Sequence, residues 1–436
     1  MSSHSNPSQS FDDIQRRIVT ALEWQRYHGN SLCVACNRGT QHPSHAPCCS
    51  ENCSRFTSDV CRTLAYILSR ANDVRDIPDK TLLVGCKDEA AKCVLNIMLL
   101  TIVRCSHGKM RSILRELLLL LAKTSRAIPP ALKLRSQDIR YPSYCQRIND
   151  LKGVDQAFYN CTPVAVKWIR APQGGHEPER RLKELFQYEA LVWKTLDHER
   201  LVQLKGIFED GNPVCYNMVS DWQTGGCALD FLKSRIGVGM FPGWERTHQT
   251  LVFTWLNQII LGLEYLHAEG LAHGDLHSGN VLVVDPRGTD VRLIDFGLSV
   301  LFDAYSAAQG SGRGGRDAFR APEQHSPSLG NKLSTSGRPT DSTDIFAFSA
   351  LCIELYTTKE PFAEQFQHRR EKNVRSAITK LNPYPNRSAS IDIRGEEVTL
   401  TIPDNLWEII TECWQVWQRR KNLDWIIPKL QGLASS

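Results

Sequence analysis

The sequence has no uninterrupted apolar run of about 20 residues, the length a helix needs to cross a bilayer. Its most apolar region, residues 82–122, is broken by Lys87, Asp88, Lys92, Arg104, Lys109, Arg115 and Glu116, so no membrane span is expected. The first ten residues are polar and serine-rich and lack the apolar centre of a secretion signal. Charge of one sign is also scarce. A net +5 over 436 residues gives no electrostatic reason to expect nucleic acid as a partner. The basic clusters at Arg369-Arg370 and Arg419-Arg420-Lys421 read as solvated faces. No internal repeat is visible.

What is present is the composition of a globular chain, 42% hydrophobic and 23% charged, long enough for more than one domain. With no secretion signal, its 15 cysteines point to reduced thiols and a cytoplasmic setting rather than to a disulfide framework. Residues 1–10 read as disordered. Residues 11–134 carry helical apolar spacing: Phe56, Val60, Leu64, Ile67 and Leu68 would share a face, and residues 94–103 and 113–122 read as buried helices. The pair Pro129-Pro130 in "AIPPALKL" breaks that pattern and marks a boundary. Beyond it, "TPVAVKWI" reads as a strand and "RRLKELFQYEALVWKTL" as a helix. "RLVQLKGIFED" and "PVCYNMVSDW" read as further strands. From "HQTLVFTWLNQIILGLEYLHAEG" onward helices dominate, apart from short strands near residue 281. A strand-rich part followed by a helix-rich part predicts two unequal lobes.

The stretch "LAHGDLHSGNVLVV", residues 271–284, concentrates two His, one Asp, one Ser, one Asn and two Gly beside a buried-strand pattern. A lone Asp-Gly pair would be ordinary turn chemistry. Here Asn280 follows Asp275 by five residues, and "RLIDFGLS" puts Asp295 twenty residues after Asp275. Upstream, Lys167 ends the apolar strand "PVAVK", where a charge needs a partner. Glu189 in the next helix is the candidate partner.

These residues resemble a protein kinase, over about two thirds of the chain. "VAVK" resembles the lysine strand, "HGDLHSGN" the catalytic loop, "DFG" the metal-binding triplet and "FRAPE" the end of the activation segment. "STDIFAFSALCIELYTTKEPF" is similar to the large-lobe helix that begins with a structural Asp, here Asp344, and "LWEIITECW" to a late helix of the tyrosine-kinase-like group. The wording is closest to the fungal members of that group. The resemblance implies an α+β bilobal kinase fold over residues 142–432, with a small β-rich lobe and a large α-helical lobe, preceded by the all-α region. It implies that Asp275 accepts or orients the proton of the substrate hydroxyl. Asn280 and Asp295 would hold Mg²⁺, Lys167 the α- and β-phosphates of ATP, and Glu189 would fix Lys167.

The pattern also departs from the family. Where phosphate-approaching glycines belong, "YPSYCQRINDLKG" offers Cys145, Gln146 and Arg147; alternatively, Gly153 starts a shortened loop. Gly274 replaces the arginine before the catalytic Asp, which makes activation by loop phosphorylation less expected. His277, a further candidate catalytic residue, stands where many serine/threonine kinases have lysine. Arg420 or Lys421 must pair with the Glu of "APE". Ser299, Tyr305, Ser306 and Ser311 are candidate phosphorylation sites. Separately, Cys33, Cys36, His42, His45, Cys48, Cys49 and Cys53 form a Cys/His-rich stretch that could build a Zn²⁺ site. The helical region could serve a protein partner. The reading that results is an ATP- and Mg²⁺-dependent kinase in signal transduction, acting on protein hydroxyls and on Ser/Thr rather than Tyr. The alternative is a pseudokinase acting as a nucleotide-binding or scaffold module, and a small-molecule phosphotransferase is disfavoured by the "APE" segment.

Overall fold

The apolar runs at 94–103 and 113–122 fall inside two helices, α1 (Asp88–Arg104) and α2 (Gly108–Ser125). The structure is a computed structural model. It describes residues 88–104, 108–142, 152–170, 176–211, 214–237, 244–295, 317–325, 339–366, 370–382, 384–393 and 396–434. The expected disorder at 1–10, the Phe56–Leu68 face, the Cys/His-rich stretch, Cys145, Gln146, Arg147 and the four hydroxyls named above lie outside the described residues. The chain divides into two compact units, residues 1–196 with 204–220, and residues 197–203 with 221–436.

In the first unit α1 and α2 pack on each other, as a three-residue connection between helices favours. Helix α2 ends before the prolines, which start a 3₁₀ turn at Pro130–Leu132. A five-stranded sheet follows, in the order β1-β2-β3-β5-β4. Its strands are β1 (Ile139–Arg140), β2 (Lys152–Tyr159), β3 (Thr162–Arg170), β4 (Leu204–Asp210) and β5 (Cys215–Asp221). Helix α3 (His176–Lys194) lies between β3 and β4 in sequence. Strands β2 and β3 form a hairpin whose two turn residues, Asn160 and Cys161, both have positive φ (50° and 62°), the geometry that matches strand twist. Alternation gives the hairpin two faces. Ala157, Val164 and Val166 join Ile139, Phe208 and Val219 in a core on one face. Lys167 belongs to the other.

In the second unit β6 (Gly226–Cys227), β7 (Val281–Val283) and β8 (Val291–Leu293) form a small antiparallel sheet. Around it are α4 (Ala228–Gly237), α5 (Trp244–Ala268), the four-residue α6 (Pro322–His325) and α7 (Asp341–Thr357). Helix α7 is buried along nearly its whole length, because "IFAFSALCIELY" is apolar on every side. Helix α8 (Arg370–Lys380) precedes a hairpin of β9 (Ser388–Ile393) and β10 (Glu396–Thr401). Helices α9 (Asp404–Cys413) and α10 (Leu423–Ala434) end the unit. The β9–β10 hairpin adds two strands beyond those near residue 281, in a region where helices are expected to dominate. Ile391, with the partly buried Val398 opposite it, and Leu400, opposite Ala389, alternate with polar residues and pack against Ile236 and Trp244. No helix among the described residues is long and apolar enough to cross a membrane.

Candidate active site

The loop that carries Asp275 is held by one buried helix. Near the start of α7, the carboxylate of Asp344 (1% exposed) accepts the backbone N–H of His273 at 2.6 Å and of Gly274 at 2.8 Å. His267 adds a third bond, Nε2 to Asp344 Oδ2 at 2.9 Å. Ten residues along the same helix, roughly 15 Å, Glu354 accepts the backbone N–H of Ser278 at 3.0 Å. Burial pushes the Glu354 carboxyl above the usual range, and its bonds from Ser278 hold it back only in part. Both shoulders of the loop therefore hang on side chains of α7, which satisfies backbone donors that no strand or helix ladder uses.

Gly274 makes this suspension free of strain. Its φ is +80°, a region that costs an L side chain roughly 1–2 kcal/mol but glycine almost nothing. The replacement of the family arginine thus has a backbone meaning as well as an electrostatic one.

Within the loop, Asn280 donates from Nδ2 to the Asp275 carbonyl at 2.8 Å and lies 3.4 Å from its Oδ2. The Asn280 carbonyl accepts the N–H of Ile294 at 3.1 Å, continuing the β7–β8 ladder. That ladder brings Asp295, the residue after Ile294, to the same end of the hairpin as Asn280. Asp295 has φ +58°, an uncommon conformation of the kind that collects at functional sites. With Nδ2 of Asn280 engaged, its amide oxygen and the Asp295 carboxylate are hard oxygen donors that suit Mg²⁺.

His277 accepts the N–H of Gly279 at Nδ1 (2.9 Å), so its neutral form carries the proton on Nε2. That nitrogen stands 3.7 Å from Asp275 Oδ2, beyond hydrogen-bond length, and the ring meets Phe319 edge-on. His273 is fully buried, and burial lowers its pKa, so it is neutral near pH 7.

The segment "DAFRAPE" is pinned at both ends. Asp317 pairs with Arg375 at 2.8 Å. Glu323 pairs with Arg420, which answers the choice left open between Arg420 and Lys421 and corrects the expectation that Arg420 belongs to a solvated face; Lys421 lies 3.8 Å from Glu412 instead.

In the first unit Lys167 Nζ meets Glu189 Oε1 at 3.4 Å, with the lysine side chain 36% exposed and the glutamate 1%. The register of β2 against β3 sets Val154 opposite Lys167, hence on the same face of the sheet. Val154 is 62% exposed, an apolar side chain left uncovered beside the lysine. Gly153 is not the start of a loop: it lies within β2, where a Cβ would come within 2.9 Å of the Trp168 indole. That contact excludes a side chain, and the reading of Gly153 as the first residue of a shortened phosphate loop is corrected accordingly.

The six sequence-predicted residues thus form two constellations. Lys167 and Glu189 meet in the first unit; Asp275, His277, Asn280 and Asp295 gather in the second. Glu354 and Val154 were missed by the sequence reading. Glu354 had a signal, a lone carboxylate inside an apolar helix, of the same kind that singled out Lys167. Val154 had none, because its importance depends on strand register.

The protein kinase domain family matches residues 154–421. A tyrosine-protein kinase, SRK2 of Spongilla lacustris, is 26% identical over 264 residues, 59% of each chain. The dual specificity protein kinase zak2 of Dictyostelium discoideum is 25% identical over 304 residues, 64% of this chain and 42% of that one. Mitogen-activated protein kinase kinase kinase 3 of Arabidopsis thaliana is 29% identical over 208 residues, 47% of this chain and 28% of that one. The chain thus spans less than two thirds of the length of these relatives. With more than half of its residues matched by the family, the chain belongs to the protein kinase domain family.

Proposed function

We propose that the chain transfers the γ-phosphate of ATP to hydroxyl groups of proteins, on serine and threonine rather than tyrosine, as part of intracellular signalling. The catalytic domain in this reading is residues 142–432. The observation that carries it is the suspension of Asp275 and Asn280 on two buried carboxylates of α7. Phosphoryl transfer asks the protein mainly for positioning and for charge stabilisation, so a rigid loop is the principal requirement. The Asp275 carboxylate orients the acceptor hydroxyl and takes its proton. Lys167, held by Glu189, binds the α- and β-phosphates, and Val154 offers the adenine ring an apolar surface. Mg²⁺, held by Asn280 and Asp295, offsets the phosphate charge. His277, in the place of a lysine, has its Nε2 3.7 Å from Asp275 Oδ2, from where its N–H would close to a hydrogen bond and orient that carboxylate once substrate is bound.

The preference for serine and threonine rests on the resemblance to the tyrosine-kinase-like group, although His277 departs from the usual lysine; among the relatives both classes occur. A cytoplasmic setting is supported by the cysteine content, and Zn²⁺ at Cys33, Cys36 and their neighbours stays a proposal for metal analysis. A second reading has its own observation: Cys145, Gln146 and Arg147 stand where glycines would let backbone amides reach phosphate. In that reading the chain is a pseudokinase.

The test is radiolabelled ATP with Mg²⁺ and a generic protein substrate, followed by phosphoamino-acid analysis. The expected result is label on serine or threonine with wild type and none with Asp275→Asn. Equal label from the two proteins would overturn the catalytic reading in favour of the pseudokinase.

A further inference from the structure

Helix α3 is engaged from two sides. Toward the sheet, Glu189 meets Lys167. Against another part of its surface packs α2, a helix that lies upstream of the family match. The contact includes a buried polar bond. Arg115 of α2, only 3% exposed, donates from Nε to Thr195 Oγ1 at 2.8 Å, and that hydroxyl donates on to the carbonyl of Val192 at 2.6 Å. Thr195 directly follows α3, so the guanidinium sits at the negative end of the helix dipole, where a cation is favoured. Two turns earlier, Tyr188 stands beside the charges of Arg115 and Glu116.

The end of α3 is tied down elsewhere too. Lys194 Nζ donates to the carbonyls of Leu204 and Lys205 at 2.8 and 3.0 Å, which fixes the helix to the start of β4. The segment after α2 is fixed to the same strand, where the N–H of Leu134 donates to the Ile207 carbonyl at 2.8 Å. Asn96 of α1 accepts the N–H of Ala131 at 3.0 Å. Helix α2 is therefore anchored both through its neighbour α1 and through the chain that follows it.

A buried arginine is a costly way to hold two helices together if packing were the sole purpose. Together with the Lys194 bonds to β4, its bond to Thr195 restrains the rotation and the axial position of the end of α3. Glu189 lies six residues before Thr195, so those two settings decide where its carboxylate falls. We propose that Arg115 is a positioning residue for the Lys167–Glu189 pair: through Thr195 it locks α3 in the register that presents Glu189 to Lys167. The inference rests on the reading of that pair as the phosphate anchor. A segment preceding the kinase domain thereby sets how well the domain holds nucleotide, and anything that displaces α2 lowers that affinity.

The experiment uses the full chain and two readouts that do not require turnover. Mg·ATP affinity is taken from thermal-shift titration, and hydrogen exchange is followed over residues 183–195. The variants are Thr195→Val, Arg115→Met with Thr195→Val, and Arg115→Lys, each with and without Glu189→Gln. Replacing both polar partners by apolar groups of similar size preserves the packing, and Thr195→Val alone carries the test if the double variant does not fold. The expected result is a loss of Mg·ATP affinity of about tenfold, faster exchange across 183–195, and partial recovery with Arg115→Lys. In the Glu189→Gln background the same changes should cost no further affinity, because the group they position is gone. Wild-type affinity and exchange in the double variant would overturn the proposal, as would a loss that adds in full to that of Glu189→Gln. A Glu189→Gln protein that binds Mg·ATP as tightly as wild type would overturn the reading of the pair itself.

Discussion

Arg420 and Glu323 form a two-pronged ion pair, Nη1 to Oε1 at 2.7 Å and Nη2 to Oε2 at 3.2 Å, with side chains 1% and 2% exposed. The same guanidinium donates to Ser342 and to the Gln415 carbonyl and lies over the Phe346 ring. The pair thus links the segment that ends in "APE", the start of α7 and the loop before α10.

Breaking it from one side should leave a buried charge. Arg420→Ala is expected to cost about 3–5 kcal/mol of unfolding free energy, the usual penalty for orphaning one member of a buried pair. Arg420→Lys should lie between that variant and wild type, because an ammonium cannot reproduce the fork. Lys421→Ala should stay within about 0.5 kcal/mol. Urea denaturation of the three proteins checks this, and a neutral Arg420→Ala would contradict it.

Gly274 gives a second, independent test. Both Gly274→Ala and Gly274→Arg should lose roughly 1–2 kcal/mol, since the penalty belongs to any Cβ at φ +80°. Equal losses would assign the effect to the backbone. A Gly274→Arg protein as stable as wild type would mean that the loop adopts another conformation once glycine is replaced.

Much of this arrangement is legible in the sequence because it depends on local pattern. Apolar alternation in "PVAVK" and helical spacing in "KELFQYEALVW" locate β3 and α3. A charge at the end of an apolar strand demands a partner within reach, which is how Lys167 and Glu189 are paired before any coordinates. The β9–β10 hairpin carries a signal of the same sort, but a helical context on both sides masks two short alternating strands. The rest is not local. Whether Arg420 or Lys421 meets Glu323 depends on which of two adjacent side chains a turn directs inward. That Arg115 reaches Thr195, 80 positions later, depends on two helices meeting at one angle. Sequence spacing carries neither.

The bond between His267 and Asp344 predicts a pH dependence. Burial alone would lower the His267 pKa, but the hydrogen bond to Asp344 and the charges of Asp344 and Asp341 outweigh it, so the pKa stands above the usual value. Folding then favours the protonated imidazole. The stabilisation is complete below the unfolded value of about 6.5 and is lost as pH rises through the higher folded value. His267→Asn should therefore destabilise the protein more at about pH 5.5 than at about pH 8.5. Thermal denaturation of both proteins at the two pH values measures it, and an equal cost at both would show that the charge on His267 contributes nothing.

The last prediction sets the missing glycines against the intact catalytic turn. Side chains at Cys145, Gln146 and Arg147 deny phosphate the close backbone approach that glycines allow, so nucleotide should bind weakly. Asn280 and Asp295 keep the oxygen donors that suit Mg²⁺, so what binding remains should depend strongly on the metal. ATP is expected to raise the melting temperature only with Mg²⁺ present, and Asp295→Asn should abolish the shift. Lys167→Met should weaken it and also lower the melting temperature without nucleotide, because it removes the partner of the Glu189 carboxylate, which is 1% exposed. Asp275→Asn removes the group that handles the hydroxyl proton and leaves the metal donors in place, so it should show the full shift yet transfer no phosphate. A wild-type protein that shifts equally with and without Mg²⁺ would remove Asn280 and Asp295 from the nucleotide site. A protein with no shift at millimolar ATP would leave only the scaffold role.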